Sequence, residues 1–271
     1  MIYKLLDCGN KKKVEQYGPY KLVRPCPQAL WDIQYPEYWN DIDAEFARTR
    51  SEKGDWTQYK KLPTTWNMEG KADLIWKIEP NDFGNVGVFT EHWMYSTMLT
   101  EFFDKQGKVL NLFSYTGSSC LELVRAGFKV TVLDSSKNAM TDYATNLDLN
   151  KLSRDGQRLI LEDAYKFIAR EIRRESKYSS IMVDAPSFGR GTKGEVFNIE
   201  DDLVKIISNC KEILEPDGRM IITLHSPRFT LAILEILIGT MFKGKKVEAQ
   251  EILNPCESGM KLPSGFLVKI Y

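Results

Sequence analysis

The sequence predicts an α/β protein: a mainly parallel sheet covered on both faces by helices, preceded by a smaller β-rich domain. Three observations predict it. From residue 108 onward, short apolar runs alternate with stretches of helical period over about 160 residues, the pattern of parallel strands joined by crossover helices. Before residue 93 the apolar runs are short, β-type and broken by turn residues. All six tryptophans fall between residues 31 and 93. A thin β-rich domain needs such side chains to build a core; a stacking surface for RNA bases is the other reading of the cluster. The domains are set at 1–92 and 93–271.

The 271 residues suffice for one large α/β domain with an appendage. Lys and Arg number 37 against 37 Asp and Glu, so the chain is no general polyanion binder. Charge is locally uneven: residues 1–30 hold six bases against two acids, and residues 31–55 hold seven acids against three bases. No apolar run approaches the roughly 20 residues of a membrane span, and the N-terminus lacks a signal peptide's apolar core. Five dispersed cysteines without a CxxC, and only two histidines, point to free thiols in a reducing, cytoplasmic setting and to no structural zinc.

In order, KLLDCG, KKVEQYG and YKLVRPCP read as short strands with turns at Cys8-Gly9-Asn10 and Tyr17-Gly18-Pro19. Residues 36–53 are helix-compatible, with Trp39, Ile42 and Phe46 at spacings of three and four. Residues 66–79 read as a hairpin turning at Gly70-Lys71, with alternation through Leu74, Trp76 and Ile78. After the glycine-punctuated FGNVGVFTEH, residues 93–107 read as a helix. Strands follow at 108–113, 128–133, 157–161, 179–183 and 219–224, with helices at 118–126, 136–149, 163–174, 199–214 and 228–241. A turn at Pro216-Asp217-Gly218 precedes the fifth strand, and terminal strands at about 246–252 and 265–270 bring the sheet to seven. No internal repeat or low-complexity tract is visible.

The chain is organised around KVLNLFSYTGSSC (108–120): a buried strand, a small-residue loop and a helix start, whose unpaired N–H groups can cradle a polar ligand. The next strand ends in Asp134, and an acid there is the usual partner of ribose hydroxyls. With the single Gly117 the loop lacks G-x-G-x-x-G, which disfavours nicotinamide and flavin dinucleotides. A nucleoside ligand without pyrophosphate remains, and S-adenosylmethionine fits. Asp163, with the Ala164 N–H beside it, follows the third strand and could meet the adenine amine; a helix N-cap is the other reading. Asp184 ends the fourth strand, where it would face the sulfonium and the substrate.

Together these stretches resemble the class I S-adenosylmethionine-dependent methyltransferases, and within them the large-subunit ribosomal RNA methyltransferase group, over roughly residues 66–271. The resemblance rests on G-V-F-T-E-H (87–92), V-L-N-L-F-S-Y-T-G (109–117), N-L-D-L-N-K-L (146–152) and D-A-P-S-F (184–188). It implies a Rossmann-like fold and an RNA substrate. It implies Phe113, Ser114, Tyr115, Thr116 and Gly117 at the methionine end, and Asn111 holding the loop. Asp134 would take the ribose, Ser135 would lie beside the adenine, and Asp163 and Ala164 would read its edge. Phe89 and His92 would close over the cofactor; capping or packing is the other reading of His92. Asp184, Pro186 and Phe188 would form the catalytic corner. There Asp184 could orient an acceptor N–H and Phe188 could stack on a flipped base. Arg190, Lys193 and Arg228 could meet phosphates, whereas a plain surface loop is the other reading of residues 189–195.

Three departures shape the expectation. Ala185 replaces a proline of D-P-P-x-F. Residues 1–65 match no RNA-binding module expected ahead of such a domain. In T-L-H-S-P (223–227), Ser226 stands where members that methylate cytosine carbon carry a cysteine. Carbon methylation needs a nucleophile that adds to the ring, and a serine without a base is a poor one. A base nitrogen is therefore the expected acceptor. A small-molecule or protein methyltransferase and a non-catalytic relative stay open. The acceptor atom, the oligomeric state and the purpose of residues 1–65 are not legible.

Overall fold

The computed structural model describes residues 2–49, 53–190, 196–226 and 228–271, with Arg190 described by its backbone alone. By packing, the chain divides into Met1–Thr90 with Leu253–Pro263, and Glu91–Ile252 with Ser264–Tyr271.

In the first unit, strands β1 (Lys4–Gly9), β2 (Lys12–Tyr17), β3 (Tyr20–Pro25), β4 (Ala44–Arg48) and β5 (Gly54–Gln58) form one sheet in chain order. All neighbours run antiparallel except β3 and β4. The hairpin expected at 66–79 is β6 (Trp66–Glu69) and β7 (Ile75–Ile78). The helix expected over 36–53 is absent from its described part: a single 3-10 turn, Pro36–Trp39, precedes β4 and β5. Its helix-like spacing arises because different neighbours bury each residue. Trp39 and Ile42 pack against Leu6, Val14 and Val23, whereas Phe46 meets Trp56 across the β4–β5 pair. Within β4 only Ala44 and Phe46 are buried, the period of two that a strand imposes.

The tryptophans of this unit serve its interior. Trp76 is buried, and the indole N–H groups of Trp31, Trp39, Trp56 and Trp66 donate to Cys8 O, Asp7 Oδ2, Asn81 O and Tyr17 O. The unit also buries a charge. Glu15 receives Arg24 Nε at 2.7 Å and Nη2 at 3.0 Å, Lys13 Nζ at 3.0 Å, and the hydroxyls of Tyr3 and Tyr17. Burial pushes the Glu15 carboxyl up, but the Arg24 and Lys13 charges outweigh it and hold it at about 2. All five cysteines are free and buried, and two of them meet: Cys8 and Cys256 Sγ lie 3.7 Å apart.

The second unit opens with α1 (Ser96–Phe102). It continues through β8 (Lys108–Leu112), α2 (Leu121–Arg125), β9 (Lys129–Asp134), α3 (Lys137–Leu149), β10 (Arg158–Leu161), α4 (Ala164–Arg173) and β11 (Tyr178–Ala185). A small hairpin of β12 (Phe188–Arg190) and β13 (Val196–Asn198) leads to α5 (Ile199–Ile213), β14 (Leu214–Leu224), α6 (Leu231–Met241), β15 (Val247–Pro255) and β16 (Lys261–Ile270). The sheet order is β10-β9-β8-β11-β14-β16-β15, parallel through β14 and antiparallel at β16. This is the seven-stranded, mainly parallel fold expected.

The strand order reverses between β8 and β11, which opens a crevice at their C-terminal ends. Helix α2 stops in a Schellman motif: Gly127 (φ +85°) N–H donates to Val124 O and Phe128 N–H to Leu123 O. The turn expected at residues 216–218 does not end a helix before a separate strand. Strand β14 already pairs Leu214 with Tyr178, and residues 215–218 bulge before Arg219 pairs with Ser180. The glycine-rich stretch after residue 188 is partly the β12–β13 hairpin; Gly191, Lys193 and Gly194 lie outside the described residues.

Candidate functional site

Register places the strand ends in line. Leu112 pairs with Leu133, Val183 with Leu112, Leu161 with Asp134, and Asp184 with Thr223. Asp134 and Asp184 therefore stand one residue above the end of β8, on either side of it, about 10 Å apart at two strand spacings. The residue at that level above β8 is Phe113, where the loop begins.

The loop is held open by polar ties. Phe113 and Tyr115 adopt left-handed backbone at φ 58° and 50°, a conformation that costs a side-chain-bearing residue energy. Tyr115 N–H donates to Asp134 Oδ2 at 2.9 Å, and Ser136 N–H to Oδ1 at 2.8 Å. Each carboxylate oxygen has a second lone pair for a further donor. Burial pushes the Asp134 carboxyl up, against the pull of the N–H groups of Ser136, Tyr115 and Ser135, and it settles above its ordinary value. Asn111, buried beneath, donates from Nδ2 to Ser119 Oγ at 3.0 Å. From α3, buried Asn146 donates to Thr116 O at 3.0 Å. Gly117 has φ +95°, and a Cβ there would come within 2.2 Å of Leu121 and 2.6 Å of Tyr143. Asp163 is the N-cap of α4: its Oδ1 accepts from Lys166 N at 3.0 Å, with buried Ala164 opening the helix.

Across the crevice, Asp184 accepts from Thr223 Oγ1 at 2.5 Å and pairs with His92 Nε2 at 3.0 Å. Burial opposes charge on both partners. The Asp184 charge nevertheless raises the histidine above its ordinary value. His92, with His225 and the Thr223 hydroxyl, holds the Asp184 carboxyl below its own. The chain's second histidine, His225, converges on the same carboxylate: His92, Asp184 and His225 each place a nitrogen or oxygen within 4.8 Å of the others. Two of the three, His92 and Asp184, are joined directly as an ion pair.

Pro186 is half-buried, Phe188 is 42% exposed, and the Ser187 hydroxyl donates to His225 O. Ser226 donates to Glu200 at 3.4 Å, and Glu200 pairs with Arg228 at 2.5 Å. Burial pushes the Cys120 thiol up to about 11 and the Cys210 thiol higher still. Neither is a ready thiolate. Of the basic residues expected at this mouth, Lys193 and the Arg190 side chain lie outside the described residues. Phe89 is half-buried and belongs to the first unit.

The structure thus lines up Phe113, Asp134 and Asp184 along one sheet edge and ties Asn111 and Ser119 beneath them. Sequence reasoning missed Asn146, Thr223 and His225. Asn146 was visible only as part of N-L-D-L-N, and Thr223 and His225 only as flanks of Ser226.

No family model matches the chain. It is 28% identical over 200 residues to the ribosomal RNA large subunit methyltransferase K/L of Shewanella loihica, covering 70% of this chain and 27% of that protein. The protein of the same name from Syntrophotalea carbinolica is 30% identical over 187 residues, covering 67% and 25%. The chain thus spans about a quarter of the length of these curated relatives. The crystal structure of the SAM-dependent methyltransferase from Agrobacterium tumefaciens superposes with a TM-score of 0.90 at 35% identity, covering 99% of this chain and 90% of that one. Identity of that extent, over nearly the whole chain and on a seven-stranded, mainly parallel sheet, shows that the chain belongs to the S-adenosylmethionine-dependent methyltransferases.

Proposed function

We propose that this chain methylates a base nitrogen of RNA, with ribosomal RNA the first substrate to test. The observation that carries the reading is the corner at Asp184: an anion fixed by His92 and Thr223 beside an exposed Phe188, with no accessible thiol among the described residues. An amino or imino nitrogen attacks with its own lone pair, so it needs orientation and proton removal, not a covalent adduct. The names of the large-subunit relatives support RNA as the substrate class. A ribosomal substrate would place the protein in the cytoplasm, and no described helix is long and apolar enough to cross a membrane.

S-adenosylmethionine supplies a methyl group on a positively charged sulfur. The residues present fit it: a hydrogen-bonded carboxylate at Asp134 and an anion at Asp184. Asp134 and Ser135 would hold the ribose. Phe113, Ser114, Tyr115, Thr116 and Gly117 would line the amino-acid end, over the support of Asn111 and Asn146. Asp163 and Ala164 would meet the adenine edge. His92 would serve Asp184 by keeping it ionised and aimed. Phe188 would stack on the acceptor base, and Arg190, Lys193 and Arg228 would meet phosphate.

The test is transfer of tritiated methyl groups to RNA from a strain lacking the protein, with and without ribonuclease. Ribonuclease-sensitive label, mapped to a base nitrogen, is the expected result. Label that survives ribonuclease, or that maps to cytosine carbon, overturns the reading.

A further inference from the structure

Asp184 stands where the proton from a nitrogen acceptor would be collected, but its geometry suits another task. Both its oxygens are engaged, one by the Thr223 hydroxyl and one by His92. His92 is itself sealed in, with 3% of its side chain exposed. His225 differs on each count. It follows the end of β14, its side chain is 34% exposed, and its Nε2 lies 3.9 Å from Glu91 Oε1. Glu91, Asp184 and His92 are charged groups near it.

The fold makes room for this ring. Gly265 on β16 has φ +108°, and a Cβ there would fall 2.5 Å from His225 Nδ1 and 2.6 Å from Leu224 O. The ring thus lies against backbone that carries no side chain. The Ser187 hydroxyl donates to the His225 carbonyl, which ties the His225 backbone to the segment presenting Phe188.

We infer that His225 is a catalytic residue of this site: its imidazole meets the edge of the acceptor base and takes the proton released on methylation. The inference rests on the methyl-transfer reading above. The acceptor nitrogen's lone pair forms the N–C bond, the C–S bond breaks with its electrons going to sulfur, and the N–H proton passes to a nitrogen of His225 and then to solvent. Glu91 orients the ring. Asp184 stays an anion throughout and aims the acceptor. A positioned base of this kind contributes about 10²–10⁴-fold to rate.

The experiment has a binding arm and a kinetic arm. All five native cysteines are buried, so in His225→Cys the new thiol is the reactive one. Its reaction with N-ethylmaleimide, in cofactor-free protein, should slow at least tenfold on saturation with large-subunit RNA from a strain lacking the protein. In the kinetic arm, His225→Gln should lower kcat by at least about a hundredfold, with KM changed less than about threefold. Added imidazole should restore part of the rate of His225→Ala. If the wild type methylates this RNA while the thiol is unprotected or His225→Gln turns over as fast, the assignment alone falls. If the wild type labels no RNA, the reading it rests on falls, and the assignment with it.

Discussion

At the residue scale, Asp134 joins two tasks in one carboxylate. It fastens Tyr115 and Ser136 through their N–H groups, and it retains acceptor capacity that a ribose hydroxyl would use. Hydrogen bonds to charged groups are worth about 1.5–3 kcal/mol each. Asp134→Ala should therefore weaken binding of the demethylated cofactor at least a hundredfold by calorimetry, with circular dichroism unchanged; wild-type affinity would refute the ribose role. This residue was legible because an acid closing a β-rich run after a small-residue loop is a local pattern. His225 was not, because what makes it a site is Gly265, forty residues away and silent until the strands pair. The N-cap bond of Asp163 was legible as one of two readings, and capping by itself does not exclude a contact with adenine.

At the element scale, the loop between β8 and α2 is shaped by conformations that only its surroundings sustain. Gly117→Ala adds a methyl group where Leu121 and Tyr143 already stand, at a backbone angle closed to alanine. A loss of at least about 2 kcal/mol in urea unfolding is expected, with weaker cofactor binding. Asn146→Leu removes the buried hydrogen bond to the Thr116 carbonyl and should cost about 1–3 kcal/mol in the same measurement. The alternating strands and helices were readable from sequence because their periods persist over five to fifteen residues. The helix expected over 36–53 failed because three well-spaced apolar residues mimic a helical stripe even when separate neighbours bury them. The Pro216-Asp217-Gly218 turn failed because a bulge uses the same residues as a turn.

At the scale of the whole molecule, stability is divided between unlike interiors. The second unit buries an aliphatic cluster against its sheet, whereas the first encloses the ion pair of Glu15 and Arg24. Because the folded-state pKa of Glu15 lies below its unfolded value, the stabilisation is present above roughly pH 4.3 and is lost as pH falls toward the folded value of about 2. The loss amounts to roughly 3 kcal/mol by linkage. Urea melts between pH 6 and 2 should show it, and a Glu15→Gln, Arg24→Met double variant, which removes both charges together, should show less of it.

The first unit also borrows from far along the chain. Glu257 and Ser258 donate their N–H groups to Leu5 O and Leu6 O, and the Ser258 hydroxyl donates to Asp7. Replacing residues 256–260 with a short Gly-Ser turn should speed amide exchange in β1 to β3 and leave β8 to β11 protected, as read by mass spectrometry. During translation, strand β1 must therefore wait with a ragged margin until the residues about 250 positions downstream of it have been made.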